Sequence, residues 1–186
     1  MELVKTAELL AKKKHAGQFR KDGITPYSKH LEDVVNRLKS LGVIDDELLC
    51  TGWLHDTMED TDITFDNLYE QFGSRVAVLV SSLTKDESLP KKPREKAYVQ
   101  QLKEASFDAK LVKLCDISAN LSALKNYDAS KSKKLRLVKQ IRHYLVVIKN
   151  DLLKNTDYPK MITLLETVNQ ILKGYGKNPI SLKVES

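Results

Sequence analysis

The sequence predicts an all-α protein: a single domain built as a bundle of about eight to ten helices. Three observations support this prediction. Apolar residues recur at helical spacing in segment after segment, and no stretch shows the alternation of a half-buried strand. No linker-like stretch divides the chain into two regions of different composition. With 186 residues, of which 41% are hydrophobic, the chain is long enough to bury one substantial core.

The apolar spacing sets the bounds of six predicted helices. They cover residues 3–14, 27–41, 94–104, 109–127, 132–153 and 159–172. Three more helices lie between the second and third of these: one capped by Asp45 or Asp46, one capped by Thr64 with Phe65 facing inward, and one that follows Gly73. Glycine, proline and mixed charge interrupt the pattern at 15–26 and 84–93, so both segments are predicted loops. The second loop is long enough to be a lid, although a plain surface connection fits equally well.

The run His-Asp-Thr-Met-Glu-Asp, from His55 to Asp60, contains four residues that can bind a metal or move a proton. Because apolar residues with helical spacing precede it, we predict that it ends a buried helix, with His55 and Glu59 on one face. Buried carboxylates without partners are costly, and acidic groups at a helix C-terminus oppose the macrodipole. A divalent cation would offset both effects, so the run predicts a metal site. The alternative is a solvated, acidic helix end.

Two residues elsewhere in the chain can complete such a site. Asp116 lies in an apolar helical run and needs a reason to be buried, and Asn120 lies one turn further on the same face. His30 begins the second helix, where a single histidine can also be an ordinary surface or core residue. Two imidazoles and two carboxylates suit Mn²⁺, with Fe²⁺ or Zn²⁺ as alternatives. The sequence has no paired cysteines of the kind that form a structural zinc site.

The net charge of +6 favours anionic partners, either nucleic acid or phosphorylated small molecules. The lysines are scattered and only 6% of the residues are aromatic, which disfavours a nucleic-acid stacking surface. Cys50 and Cys115 lie in apolar helical patterns, as buried thiols do in a reducing compartment. No apolar run is long enough to span a bilayer and no leader pattern opens the chain, so we expect a cytoplasmic protein without membrane contact.

An ordered set of motifs also resembles a known family. The motifs are His15-Ala-Gly-Gln-Phe-Arg-Lys-Asp-Gly23, Pro26-Tyr27, His30, His55-Asp-x-x-Glu-Asp-Thr61, Phe72-Gly73 and Leu111-Val-Lys-Leu-x-Asp116. A histidine, then His-Asp, then a distant Asp is the metal signature of the HD phosphohydrolases. The full set, from about residue 3 to 175, resembles the Rel/SpoT hydrolase domain, and most closely its single-domain members, the small alarmone hydrolases and the metazoan SpoT homologue. The resemblance implies an HD domain over residues 1–176 and a C-terminal tail over 177–186.

The resemblance also implies roles for individual residues. The metal ligands would be His30, His55, Asp56 and Asp116, holding one Mn²⁺. The catalytic acids would be Glu59 and Asp60. The substrate-binding residues would be Arg20, Lys21, Asn120 and Tyr144, with Arg20 stacking on the base. From the lid segment, Lys85, Lys91 or Lys92 can offset charge on phosphates. The family removes the 3′-diphosphate of guanosine tetra- or pentaphosphate, giving GDP or GTP and pyrophosphate.

The chain departs from the family pattern directly after Asp116. The family usually has a basic residue and then His or Tyr before the Asn, where this chain has Ile117-Ser118-Ala119. It often has Arg-Thr or Arg-Asp where this chain has Ser122-Ala123. The metal ligands are unchanged, so the departure concerns recognition of the base and ribose.

This departure leaves alternative functions open. The chain can be a phosphohydrolase of another nucleotide: NADPH at its 2′-phosphate, the adenosine analogue of the alarmone, or a simple nucleoside phosphate. It can also be a sensor that binds a nucleotide without turnover. The sequence does not determine the oligomeric state.

Overall fold

The computed structural model describes residues 2–184; Met1, Glu185 and Ser186, the outermost residues of the predicted domain and tail, lie outside the described range. The helices of the described part are α1 (Glu2–Lys14), α2 (Ser28–Leu41), α3 (Asp46–Leu54), α4 (Thr57–Asp60), α5 (Phe65–Ser81), α6 (Lys91–Glu104), α7 (Phe107–Ala123), α8 (Lys131–Lys154) and α9 (Lys160–Gly174), with a 3₁₀ turn at Leu124–Asn126. Residues 2–184 contain no β-strand, only an isolated bridge between Phe19 and Pro26, so the all-α prediction is confirmed.

The two central helices, α3 and α7, are buried along most of their length. Helix α3 packs against α1, α2 and α5, while α7 packs against α2, α8 and α9. Gly52 allows the close contact between α2 and α3, because a Cβ atom there would lie 2.8 Å from Leu38 Cδ1 and 3.1 Å from Val35 Cγ2. This close approach brings His30 of α2 near His55 at the end of α3.

The predicted continuous helix through the run 55–60 is wrong. Helix α3 ends at Leu54, and α4 is a separate single turn that starts at Thr57. The interruption has a local cause: the His55 ring donates from Nδ1 to the Gly52 carbonyl (2.9 Å), and the Thr57 hydroxyl donates to the Leu54 carbonyl (2.7 Å). Side chains thus occupy carbonyls at the end of α3 that a continuing helix would pair with backbone N–H groups.

Other boundaries differ from the prediction by a few residues. Gly73, with φ 85° and ψ 171°, divides α5 into two segments as expected. Thr64 caps this helix, but Phe65 is 37% exposed and stacks on Tyr69 instead of entering the core. Helix α6 begins at Lys91, inside the predicted loop 84–93, because Pro93 falls in the first helical turn, where a missing N–H costs nothing. Helix α7 gives way to the 3₁₀ turn at Leu124, before the predicted end at 127.

The segment after α9 lacks regular structure but is attached to the domain. The Asn169 side chain donates to the Ile180 carbonyl (3.0 Å) and accepts from the Ile180 N–H (2.8 Å), and Ile180 is buried. The division into a domain (1–176) and a tail (177–186) remains a prediction.

No helix within residues 2–184 is both long enough and apolar enough to cross a bilayer.

Candidate active site

Three separate elements bring the four predicted metal ligands together. His30 comes from the first turn of α2, His55 and Asp56 from the break between α3 and α4, and Asp116 from the middle of α7. Asp56 Oδ2 lies 3.0 Å from His55 Nε2 and 3.4 Å from His30 Nε2. Asp116 Oδ1 lies 3.1 Å from His30 Nε2 and 3.8 Å from His55 Nε2. Donor atoms of His30, His55 and Asp56 all lie within 4.8 Å of one another, as ligands of one ion must.

The hydrogen bonding of His55 prepares this side chain for a metal. Its Nδ1 can only donate to the Gly52 carbonyl, so when the ring is neutral, as a metal ligand must be, the proton stays on Nδ1 and the Nε2 lone pair is free. His55 is 2% exposed, and its Nε2 has no hydrogen-bond partner. A buried, unpaired nitrogen facing two carboxylates fits a divalent cation, because nitrogen and oxygen donors are the ligands that Mn²⁺, Fe²⁺ and Zn²⁺ accept.

The cluster perturbs the titration of its members. Burial alone would lower the pKa of His55, but the carboxylates of Asp56 and Asp116 outweigh it and raise this pKa to about 10. Burial alone would raise the pKa of Asp56, but the two histidines hold it well below its usual value. Burial acts likewise on Asp116, and Lys113 is the main group that holds its pKa low. In the protein alone, His55 and Lys113 therefore balance the charge of the two carboxylates, and a bound cation would take over this role from His55.

Tyr27 supports the ligand Asp56 from the side of the first loop. Its hydroxyl donates to Asp56 Oδ2 over 2.6 Å. Its ring stacks on His15, with centroids 4.8 Å apart, and meets the His30 ring edge-on at 5.5 Å. Burial, together with Asp56, raises the pKa of Tyr27 far above its usual value, so the hydroxyl remains a hydrogen-bond donor. Tyr27 thus orients Asp56 towards the cluster.

An open cavity of about 400 Å³ adjoins the cluster, with His30 and Asp116 in its wall. Leu137 and Ile141 of α8 contribute apolar surface to it. Basic and polar side chains also line it: Arg20, Lys21, Lys85, Lys113, Asn120 and Tyr144. This combination can accept a ligand that has an anionic part and a flat or apolar part.

The structure gives partners to several predicted substrate-binding residues. Arg20 donates from Nη2 to Asn120 Oδ1 (2.9 Å), and its guanidinium lies 5.8 Å from the Tyr27 ring centroid. The Tyr144 hydroxyl donates to Glu95 (2.6 Å), so it is already engaged. Their roles towards a substrate stay predictions.

Two predicted lysines differ in their relation to the cavity. Lys21 lines it, and the Lys21 ammonium lies 5.9 Å from the Tyr127 ring centroid. Burial is the main cause that lowers the pKa of Lys21. Lys91 is exposed at the first residue of α6 and is not among the residues that line the cavity. Both remain predicted, rather than demonstrated, phosphate contacts.

The two predicted catalytic acids lie on the single turn α4. The Glu59 carboxylate accepts from Lys85 twice, from the main-chain N–H and from the ammonium, each over 3.2 Å. Partial burial and the carboxylates of Asp56 and Glu59 raise the pKa of Asp60. The two acids thus differ in their surroundings: Glu59 is held by the Lys85 ammonium, whereas Asp60 lies near two other carboxylates.

Sequence reasoning missed Lys113, which lies among the site residues. Its ammonium donates to Asp116 Oδ2 (2.9 Å) and lies over the rings of Tyr98 (5.3 Å) and Tyr144 (5.6 Å). Burial opposes the charge, but Asp116 and Tyr98 raise the pKa of Lys113 well above its usual value. The available signal was its position three residues before Asp116, which puts both side chains on one helix face.

The departure after Asp116 has a structural counterpart. Ser118 and Ser122 both accept hydrogen bonds from Arg37 of α2, from Nε (3.2 Å) and Nη2 (3.4 Å) respectively. Ser122 and Ala123 also line the cavity. A guanidinium from another helix therefore lies against the small side chains of this segment.

The helical bundle thus brings two histidines and two aspartates together at the wall of a cavity lined by basic side chains. The sequence matches the HD domain family over residues 7–147, so the chain belongs to that family. It is 45% identical over 116 residues to guanosine-3′,5′-bis(diphosphate) 3′-pyrophosphohydrolase MESH1 of Danio rerio, a match that covers 61% of this chain and 64% of the relative. It is 42% identical over 125 residues to the Homo sapiens protein of the same name, covering 66% of this chain and 69% of the relative.

A solved structure provides a comparison over nearly the whole chain. It is described as "A metazoan ortholog of SpoT hydrolyzes ppGpp and plays a role in starvation responses". The TM-score is 0.83 at 26% identity, covering 95% of this chain and 97% of that one. The HD-type fold and the resemblance stated from the motifs are thereby confirmed.

Proposed function

We propose that this protein is a hydrolase of guanosine tetra- and pentaphosphate, which removes the 3′-diphosphate and yields GDP or GTP and pyrophosphate. The observation that carries the proposal is the cluster of His30, His55, Asp56 and Asp116 in the wall of a cavity lined by lysines and arginine. The relatives named above, which match this chain over about two thirds of their own length, bear the name of this activity.

The reaction divides among the groups of the site. A divalent ion bound at the cluster would lower the pKa of a water molecule and polarise a phosphoryl oxygen. We assign to Glu59 the orientation of the attacking water, because Glu59 lies on the single turn α4, which directly follows the predicted ligand Asp56. Asp60, with its raised pKa, is better suited to hold a proton for the leaving group. Arg20 and Lys21 would balance phosphate charge.

We propose Mn²⁺ as the resident metal. Two imidazoles and two carboxylates form a mixed donor set without thiolate, which suits Mn²⁺ and leaves Fe²⁺ and Zn²⁺ as alternatives. Reconstitution of the metal-free protein with each ion separately, followed by metal analysis and turnover measurement, tests this choice. Highest turnover with Zn²⁺ or Fe²⁺ at equal occupancy would replace Mn²⁺ in the proposal.

The nucleotide is the part of the proposal that the sequence departure touches. Ser122 and Ala123 are small residues in the cavity wall, next to the Arg37 guanidinium. This arrangement leaves room for a substrate other than a guanosine alarmone. NADPH, with a 2′-phosphate that the same chemistry would remove, is therefore the second candidate, beside the adenosine alarmone and simple nucleotides.

Anion-exchange analysis of products tests these candidates together. The Mn²⁺-loaded protein is incubated with guanosine tetraphosphate, its adenosine analogue, NADPH and GTP, with Asp56→Ala as the control. GDP and pyrophosphate, formed only by the unaltered site, are the expected products. Cleavage of NADPH alone would move the proposal to the second candidate, and metal binding without any turnover would favour a sensor.

The remaining parts of the proposal are the location of the protein and its partner. Cys50 and Cys115 are buried free thiols, as expected in a reducing compartment. We therefore retain the cytoplasm as the proposed location and a phosphorylated guanosine nucleotide as the proposed partner.

A further inference from the structure

Lys85 contacts Glu59 through two different groups. The residue lies just after α5, at the start of the loop that leads to α6. Its main-chain N–H donates to Glu59 Oε2 and its ammonium donates to Oε1, each over 3.2 Å. Both oxygens of the carboxylate are therefore held by one residue of another segment. Such a two-point contact fixes the direction of the carboxylate as well as its position.

Tyr98 supports the ammonium side of this contact. The Lys85 ammonium lies 4.8 Å from the Tyr98 ring centroid, within the range of a cation–π interaction. Tyr98 is 2% exposed, and its position in α6 is set by the core. A buried ring thus fixes the position of the Lys85 ammonium. Lys85 is therefore not a mobile surface lysine.

Lys113 makes a similar contact with a carboxylate that has the other predicted function of the site. It lies over the same Tyr98 ring and holds Asp116, a predicted metal ligand, whereas Lys85 holds Glu59, the predicted catalytic acid. The two lysines therefore serve two carboxylates with different tasks. Loss of Lys113 should act on the metal, and loss of Lys85 should act on turnover.

We infer that Lys85 is a positioning residue for Glu59: it holds this carboxylate in the direction from which it orients the attacking water. The inference rests on the proposed function, and it differs from the expectation that Lys85 simply binds a substrate phosphate. A phosphate-binding lysine would contribute to substrate affinity. A positioning lysine contributes to kcat, and only while Glu59 is present.

A double-mutant cycle separates the two roles. Lys85→Met, Glu59→Gln and the double variant are compared with the unaltered protein for kcat, KM and bound metal. We expect Lys85→Met to lower kcat about tenfold with metal retained and KM changed less than about twofold. In the Glu59→Gln background the same substitution should change kcat by less than about twofold. Lys85→Arg should restore much of the loss, and Lys96→Met, at an exposed position of α6, is the matched control.

Three outcomes would overturn the inference. Equal effects of Lys85→Met in both backgrounds would show that Lys85 does not act through Glu59. A rise in KM with unchanged kcat would make it a phosphate-binding residue. A fall in melting temperature that accounts for the lost activity, without a kcat effect in the folded fraction, would make its role structural.

A measurement without substrate tests the contact itself. The Lys85 amide should exchange its hydrogen about tenfold faster in Glu59→Ala, because its acceptor is removed, and at the normal rate in Asp62→Ala, an exposed acid close in sequence. Unchanged exchange in Glu59→Ala would refute the contact. If the unaltered protein cleaved none of the nucleotides, the proposed function and the role in turnover would fail, while the exchange result would still decide whether Glu59 holds Lys85.

Discussion

Two clusters of charged and titratable side chains lie at opposite ends of α3 and have opposite character. At one end of α3, Arg75 of α5 donates to Asp45, Glu47 and Asp108 over 2.7, 2.8 and 2.8 Å. At the other end of α3 lies the cluster of two histidines and two aspartates. The first cluster joins the N-terminal ends of α3 and α7 to α5, and every member has its partner. The second leaves buried nitrogen atoms without hydrogen bonds.

The difference lies in solvent exposure and in completeness. The side chains around Arg75 are 31–39% exposed, so water screens their charges and each pair contributes little. The histidines and Asp116 of the second cluster are at most 6% exposed, so every charge there needs a partner. A charge cluster that is complete stabilises the fold, whereas a buried one with an unpaired nitrogen atom, His55 Nε2, can accept a cation.

The largest expected effect is that of Asp116→Ala. Bound metal should be lost, and turnover should fall by about 10⁴-fold, as when one member of a catalytic unit is removed. Stability should fall by about 3 kcal/mol, because the buried Lys113 ammonium loses its carboxylate. Metal analysis, kinetics and urea unfolding measure the three quantities.

A double variant separates the two consequences of this change. Asp116→Ala combined with Lys113→Met removes the unpaired ammonium and should recover much of the stability without recovering metal. If the double variant bound metal normally, Asp116 would not be a ligand.

The next effect concerns Glu59→Gln, which keeps the shape of the side chain and removes its charge. Metal content should remain near one ion per chain, since the four ligands are intact. Turnover should fall by about 10²- to 10⁴-fold, the usual contribution of acid–base catalysis. Near-normal turnover would transfer the role to Asp60, and Asp60→Asn is the parallel variant.

The fold was largely predictable, because helical periodicity and caps are local signals. Thr64 and Gly73 marked the start and the division of α5 correctly. The break at His55 was not predictable, because it depends on side chains that bond to carbonyls of the preceding turn. The prediction that Phe65 faces inward was wrong for a related reason: its place in the apolar pattern does not reveal that it stacks on Tyr69 at the surface.

The candidate site shows the same division between local and tertiary signals. The four predicted ligands followed from motifs, and the structure brings their side chains together. Lys113 was missed because its role needs the fold: only the packing of α6 against α8 brings Tyr98 near Tyr144, in edge-on contact at 5.3 Å, to form the aromatic surface under its ammonium. Contacts between side chains of different helices are thus the feature of the site that a single sequence does not predict.

A smaller effect is expected for Tyr27→Phe, which keeps the ring and removes the hydroxyl that donates to Asp56. Metal affinity should fall about tenfold, the lower end of the range for groups that orient a ligand. The stacking on His15 should persist, so stability should change little. Metal titration with a competing chelator measures the effect. An unchanged metal affinity would limit Tyr27 to packing.

The smallest effect is expected at the other cluster, for Arg75→Met. The free energy of unfolding should fall by about 1–2 kcal/mol, since three half-exposed pairs each contribute a few tenths to one kcal/mol. Turnover should not change, because Arg75 is not among the residues that line the cavity. About 1 M NaCl should reduce the difference between the two proteins, because surface charges are screened.

The pH dependence of that difference gives the sharpest contrast with the buried cluster. Burial acts to raise the pKa of Asp45, but the Leu48 N–H and Arg75 outweigh it and lower the pKa below its usual value. A carboxyl with a lowered pKa in the folded state stabilises the protein above its unfolded-state pKa, near about pH 4, and loses this contribution as the pH falls through the lower folded-state value. Urea unfolding at successive pH values should therefore show the unaltered protein approaching Arg75→Met only below about pH 4. A difference in the free energy of unfolding that stays constant down to pH values where Asp45 is protonated would mean that Arg75 stabilises the fold by packing of its aliphatic part. The comparison between a complete and an incomplete charge cluster would then rest on the predicted metal site alone.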